Sequence, residues 1–210
     1  MLIVTLAGGI GSGKSTVAAA LAECGARLLS LDDVARDVLS PGEEAVREVG
    51  DLWPEAVREG KIDRAALARI VFDDAAALAR LNAVVHPRAW ERAQAQLASW
   101  REESLQAQSA REFVVVVELA LLAGSPYQDA YHGTIVVDAP EDVRVLRLVD
   151  SRGMDEADAR ARIASQTPAS RVRELADVVV DNGGSLEDAA RAARELWEGW
   201  LVPYAANMRE

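Results

Sequence analysis

The chain has 210 residues, half of them hydrophobic and 27% charged, enough for one globular domain with a real core. Its formal net charge of −11 excludes a general nucleic-acid coat, because a phosphate backbone demands a basic surface; a small polyanion in a locally basic pocket stays open. One cysteine, Cys24, excludes an intrachain disulfide, and no apolar run approaches the length of a membrane span. These features lead us to expect a cytoplasmic protein, a monomer or weak homo-oligomer, with neither nucleic acid nor membrane as partner.

In chain order, Leu2-Ile3-Val4-Thr5-Leu6 predicts a short buried strand. Directly after it, residues 8–16 read GGIGSGKST, which fits Gly, four residues, then Gly-Lys-Ser/Thr. A glycine-rich loop of this spacing turns its backbone N–H groups inward around a polyphosphate, and Gly8, Gly9, Gly11 and Gly13 leave room for the close approach. Ser12 completes the loop, Lys14 reaches the β- and γ-phosphates, and the hydroxyl of Ser15 ligates Mg²⁺. Thr16 follows in the first turn of the next helix, whose N-terminal dipole faces the anion. A nucleoside triphosphate is the implied ligand. Cys24 lies in that helical pattern and reads as a small buried side chain.

A second strand is expected at Arg27–Leu31. Helical spacing then recurs over residues 63–82 and 88–109, with Pro87 starting the later helix and His86 next to its N-terminus. Phe113–Glu118 (FVVVVE), Thr134–Asp138 and Val178–Val180 read as further strands, the continuous valine runs expected where both faces of a parallel sheet are covered. Helices are expected over 141–151 and 186–201. Alternating strands and helices define an α/β, doubly wound parallel five-stranded sheet, with ligands at the carboxyl ends of its strands. Its core should span about 1–35, 113–150 and 174–210. A helical substrate-side subdomain fills about 36–112, and an arginine-rich lid about 150–173.

Several residues have two readings. Asp32, after the second strand, either takes a proton from a hydroxyl nucleophile or caps a helix beginning near Val34; we assign catalysis to Asp32 and the cap to Asp33. Arg36, one turn on, either pairs an anionic acceptor or forms a surface salt bridge. Glu118 either orders metal-bound water or bonds loop amides. Among the arginines of the lid region (147, 152, 160, 162, 171, 173), Arg152 beside Gly153 is the best candidate to clamp a transferring phosphoryl group. Asn182, before Gly183, reads as a plain Asn-Gly turn residue.

Taken together, these segments resemble the dephospho-coenzyme A kinase family. GGIGSGKST resembles its nucleotide loop and SLDDVAR at 30–36 its acceptor-activating segment. GKIDRAALARIVFDD at 60–74 with LNAVVHP at 81–87 is similar to its substrate-side signature. RGMDEADARARIASQ at 152–166 resembles its lid, ending in glutamine, and ADVVVDNGG at 176–184 its adenine-side loop. The resemblance implies a P-loop kinase that uses ATP and Mg²⁺ to phosphorylate the ribose 3′-hydroxyl of dephospho-coenzyme A. Asp32 would then be the base, Lys14 and Arg152 the phosphoryl clamps, Arg36, His86 and Glu118 acceptor contacts, and Asn182 an adenine-side contact. The chain departs from the pattern at Ala120-Leu121-Leu122-Ala123-Gly124, where the family carries a proline and a glutamate, and at Ser30, where an aspartate is common. Another nucleoside or nucleotide kinase, a nucleotide-dependent switch and a retired kinase kept for its interactions are the alternatives.

Overall fold

The computed structural model describes residues 1–72, 74–106, 113–119 and 131–208. They form strands β1 (Leu2–Ala7), β2 (Arg27–Ser30), β3 (Val57–Arg58), β4 (Lys61–Ile62), β5 (Val114–Glu118), β6 (Gly133–Asp138) and β7 (Val178–Asp181). The helices are α1 (Lys14–Cys24), α2 (Leu31–Val38), α3 (Glu44–Leu52), α4 (Arg64–Phe72), α5 (Ala75–Gln106), α6 (Glu141–Arg152), α7 (Glu156–Ala164), α8 (Ala169–Arg173), α9 (Leu186–Leu196) and α10 (Val202–Asn207). The chain divides into two compact units, one made of residues 1–29 and 101–210, the other of residues 30–100.

The first unit holds a five-stranded parallel sheet in the order β2-β5-β1-β6-β7. Central β1 pairs Val4 with Val116 of β5 and Leu6 with Ile135 of β6. Both faces of this strand are covered. Leu2, Val4 and Leu6 point one way and pack with Val17 and Leu21 of α1 and with Ala193 and Leu196 of α9. Ile3, on the opposite face, is buried as well. Two-sided burial explains why the sequence shows unbroken valine runs rather than alternation, and each such side chain contributes about 1.5–3 kcal/mol. The order β5-β1-β6 reverses direction of travel at β1, so the loop leaving β1 opens at the switch point where α/β sheets bind ligands.

The second unit has its own core, in which Val38 of α2, Val49 of α3, Leu67 of α4 and Val84, Val85 and Ala89 of α5 meet around Trp53. Between α3 and α4, in a stretch where the sequence pattern predicts a helical subdomain, it carries a small antiparallel hairpin, β3–β4. Glu59 turns that hairpin at φ 51° with Gly60 at φ 72°. Two residues per strand are too few for a period to show.

Pro87 does not start a helix. It lies inside α5, so His86 is an exposed mid-helix residue and not an N-terminal one. Packing overrides the proline here: Ala77, Val84, Val85 and Ala89 keep helical spacing across it, all buried in one core. Arg88 donates from Nη1 to the carbonyl of Val84 at 2.9 Å, beside the backbone bond that Pro87 cannot make. The expected helix over 63–82 is instead two helices. Asp63 and Asp74 accept amide hydrogen bonds from the first turns of α4 and α5, and these bonds hold both carboxyls below the usual carboxylate range. At the far end of the chain, α9 passes into one π-helical stretch, Trp197–Leu201, before α10. No helix among the described residues is long and apolar enough to cross a membrane.

Candidate active site

Gly8–Thr16 leaves β1 and enters α1 as a loop whose shape depends on absent side chains. A Cβ on Gly8 would stand 2.6 Å from the carbonyl oxygen of Val137. Gly13 is the N-cap of α1 at φ 83°, and a Cβ there would come within 2.1 Å of Nδ2 of Asn182. No side chain caps α1, and of its first-turn amides Thr16 donates to the Gly13 carbonyl at 3.0 Å, so an anion at this end would meet an uncapped helix N-terminus. Ser15 is exposed on that turn and Thr16 half-buried.

Buried polar groups fix the loop from behind. Asn182, 3% exposed in the turn after β7, donates from Nδ2 to the carbonyl of Ser12 at 2.8 Å, and its own N–H donates to the carbonyl of Asp138 at 2.7 Å. Arg147 of α6 donates to the same Ser12 carbonyl at 3.3 Å and to that of Gly184 at 3.0 Å. A cationic and an amide donor on one loop carbonyl fix its orientation, while the Ser12 N–H donates to the Gly9 carbonyl at 3.1 Å.

Lys14 projects from the start of α1. Its Nζ donates to the carbonyl of Leu119 at 2.9 Å and stands 3.9 Å from Oε2 of Glu118, at the carboxyl end of β5. Both side chains are mostly buried, so Coulomb attraction between them is less screened than at the surface. Glu118, expected to order metal-bound water or to bond loop amides, stands beside Lys14.

Helix α6 and helix α7, the latter within the expected lid segment, pack on each other. Val145, Leu148, Ala159 and Ile163 form a small core of their own, against which Ile10 of the loop packs. Arg144 is the buried arginine of this region, at 7% exposure. Arg152, named from sequence as the phosphoryl clamp, is an exposed residue at the end of α6, followed by Gly153 at φ 60°. With about 100° per residue, Arg144 and Arg147 share a helix face, whereas Arg152 is turned about 140° from Arg147. Arg160 is spent on Glu156, Glu141 and Asp142, and Arg171 on Glu174. Arg173 of α8 binds Oδ2 of Asp138 at 2.7 Å. A cleft of about 560 Å³ lies between these elements, lined in part by Asp138, Arg144, Gln166, Arg173 and Asp181.

In the second unit, α2 begins at Leu31, three residues earlier than expected. Ser30 is its cap, its Oγ accepting from the N–H of Asp33 at 3.2 Å, so Asp33 is not the capping residue. The reason is reach: the capping oxygen must lie ahead of the first-turn amides, and Asp33 already stands within that turn. Asp33 instead pairs with Arg36, which realises the salt-bridge reading of Arg36. Asp32 is exposed in the first turn of α2. Ala120–Gly124 lies outside the described residues. Cys24 is half-buried against the sheet core, and burial pushes its thiol up.

Sequence reasoning missed Arg144 altogether and gave Gln166 no role beyond ending the lid motif. Arg144 and Arg147 at i, i+3 on the helix after β6 were the available signal, but which arginine turns inward depends on contacts far away in the chain.

A parallel sheet with the glycine loop at its switch point and a lysine turned inward from the start of α1 defines a P-loop kinase. The family model for dephospho-CoA kinase matches residues 2–188. A dephospho-CoA kinase of Thermobifida fusca is 42% identical over 200 residues, covering 94% of this chain and 96% of that protein. The dephospho-CoA kinase of Mycolicibacterium paratuberculosis is 38% identical over 99% of this chain, which spans only 49% of that longer protein. A crystal structure of a Thermus thermophilus protein superposes with a TM-score of 0.78 at 36% identity, covering 95% of this chain and 97% of the other. The chain belongs to the dephospho-CoA kinase family and is an ATP-dependent kinase.

Proposed function

We propose that this chain transfers the γ-phosphoryl group of ATP to the ribose 3′-hydroxyl of dephospho-coenzyme A, giving coenzyme A and ADP. The observation that carries the reading is the loop at 8–16, shaped for a triphosphate by the close approaches at Gly8 and Gly13 and backed by Asn182 and Arg147. The loop amides and Lys14 hold the β- and γ-phosphates, and Lys14 follows the charge that builds on the leaving oxygen.

Asp32 takes the proton of the 3′-hydroxyl as its oxygen bonds to the γ-phosphorus and the bond to the β-phosphate oxygen breaks. Its first-turn position and exposed carboxylate suit a base that must meet an incoming alcohol. Arg152 closes on the equatorial oxygens of the transferring group, using the hinge at Gly153, while Arg36 and His86 contact the acceptor. For Arg36 this requires the acceptor to compete with Asp33 for the guanidinium, a weak rival because that pair is exposed. Asn182 supports the nucleotide from the adenine side.

The residues also suit a divalent cation: Ser15 offers an exposed hydroxyl at the phosphate end of α1, and Glu118 a carboxylate beside Lys14. Mg²⁺ bound there would neutralise charge on the outer phosphates.

The test is ADP release, followed by a coupled assay, across dephospho-coenzyme A, nucleosides and nucleoside monophosphates. Turnover is expected with dephospho-coenzyme A above all others. Preferred turnover of a nucleoside or nucleotide would reassign the acceptor, and ATP binding without any acceptor would leave a switch.

A further inference from the structure

Ile10 is the one large apolar residue in an otherwise glycine- and serine-rich loop, and its backbone makes two hydrogen bonds, to Gln166 of the expected lid and to Arg144 of α6, which also bond each other. Its N–H donates to Oε1 of Gln166 at 2.9 Å. Its carbonyl accepts from Nε of Arg144 at 2.8 Å, and Nη2 of Arg144 donates to the same Oε1 at 3.0 Å. Two donors converge on that atom of Gln166, so it must be the amide oxygen. The Ile10 side chain meanwhile enters the lid core beside Leu148 and Ile163. Glycines flank it: at Gly11, φ 77°, a Cβ would lie 2.8 Å from the Arg144 carbonyl, and at Gly9 a Cβ would push on Nη2 of Arg144 at 2.5 Å.

We propose that Arg144 and Gln166 are positioning residues for the phosphate loop, clamping both backbone groups of Ile10 so that nucleotide affinity is tied to the seating of the lid. The proposal rests on the kinase reading above, since it takes the loop to be the triphosphate site. Arg144 cannot be there for surface charge. It is nearly fully buried, burial pushes its guanidinium below the usual arginine range, and the Asp138 and Glu141 carboxylates offset that cost. A buried cation is retained where its hydrogen bonds are specific, and all of those described run to Ile10 or to the residue that holds Ile10. When the three bonds are made, the Ile10 backbone is held in one orientation and the loop with it. When the lid lifts Gln166 away, the Ile10 N–H loses its acceptor and the loop is released to relax. The lid would thus grip the loop's own backbone as well as closing over the ligand.

Calorimetry with Mg-ATP on the full chain tests this, run beside steady-state kinetics on wild type, Gln166→Met and Gln166→Glu. Methionine keeps the length and removes the acceptor, and glutamate keeps an oxygen that accepts from both donors while Arg144 neutralises it. Gln166→Met is expected to weaken Mg-ATP binding about tenfold and to raise KM for ATP in step, the size expected for a lost charge-assisted bond. KM for the acceptor should stay within about twofold, and Gln166→Glu should recover most of the nucleotide affinity. Unchanged affinity in Gln166→Met, or failure of Gln166→Glu to recover it, overturns the proposal while leaving the kinase reading intact. Wild type that binds no Mg-ATP overturns both. Should Gln166→Met not fold, Arg144→Lys carries the test. It keeps the charge but has no Nε–H for the Ile10 carbonyl, so weaker Mg-ATP binding with an unmoved acceptor KM supports the proposal, and wild-type affinity refutes it.

Discussion

The loop at 8–16 and the segment at 30–36 both carry polar residues assigned to one reaction, yet they are built in opposite ways. In the loop, the groups we assign to the phosphates are main-chain amides, and side chains bond the loop backbone from behind, those of Asn182 and Arg144 buried and that of Arg147 half-buried. In the segment, Asp32, Asp33 and Arg36 are exposed side chains on the first turns of α2, anchored mainly by the Ser30 cap and the packing of Val34, Ala35 and Val38. A polyanion that arrives with the same shape at every turnover rewards a rigid cradle whose reorganisation cost was met during folding. An alcohol that must be approached, deprotonated and released is served by side chains that can still move.

Substitutions can sharpen or break this contrast. The largest effect is expected from Asp32→Asn, which removes the base but keeps shape and cap. Turnover should fall about 10²–10⁴-fold while calorimetric binding of Mg-ATP persists. Near-normal turnover would remove Asp32 from the chemistry. Lys14→Ala should lower kcat about 10²–10³-fold and weaken ATP binding as well, because its ammonium serves ground state and transition state alike. An effect on kcat alone would show that Lys14 is no part of the resting cradle.

Two capping serines give the finer comparison. Ser30→Ala and Ser185→Ala each remove a cap whose Oγ accepts a first-turn N–H at 3.2 Å, and each should cost about 1 kcal/mol in denaturant unfolding. Only Ser30→Ala should also lower turnover, since α2 carries Asp32. Equal activity in both variants would mean that the α2 start needs no anchoring for catalysis.

The smallest effect concerns pH. At α9, the N–H and Oγ–H of Ser185, then Arg191, hold the Asp188 carboxyl down at about 2 against an ordinary 3.8. The native state therefore favours the ionised form. Its contribution is complete above pH about 4 and disappears as the pH falls through about 2. Asp188→Ala should flatten the acid limb of the stability curve in that window without moving turnover at neutral pH.

How much of this could be read from the chain follows from the range of the forces involved. The five strands, the loop and α1 were legible because valine runs, glycine spacing and a helical apolar stripe are local signals. The continuation of α5 through Pro87 was not. Local chemistry says that proline opens a helix, whereas the buried stripe formed by Ala77, Val84 and Ala89 carries the helix across it. The Ser30 cap was hidden by the choice between two adjacent aspartates, although a serine ahead of the first turn fits the rule equally well. The pairing of Arg144 and Gln166 with Ile10 spans more than 130 residues of sequence, and no spacing rule reaches that far. For the same reason the lid arginine chosen from sequence was the one beside a glycine, while the arginines bonded to the loop were those facing inward from α6.

The central claim is that a cradle of main-chain amides, kept open by the lack of side chains, grips the triphosphate. Calorimetry of Mg-ATP binding to wild type and Gly13→Ala tests it most directly. At φ 83°, with Asn182 Nδ2 where the Cβ would go, the alanine must displace the amide that shapes the loop. Saturable one-to-one binding in wild type that is lost in a still-folded Gly13→Ala is the predicted result. Equal affinity in the two proteins, or no heat of binding in wild type, would contradict it.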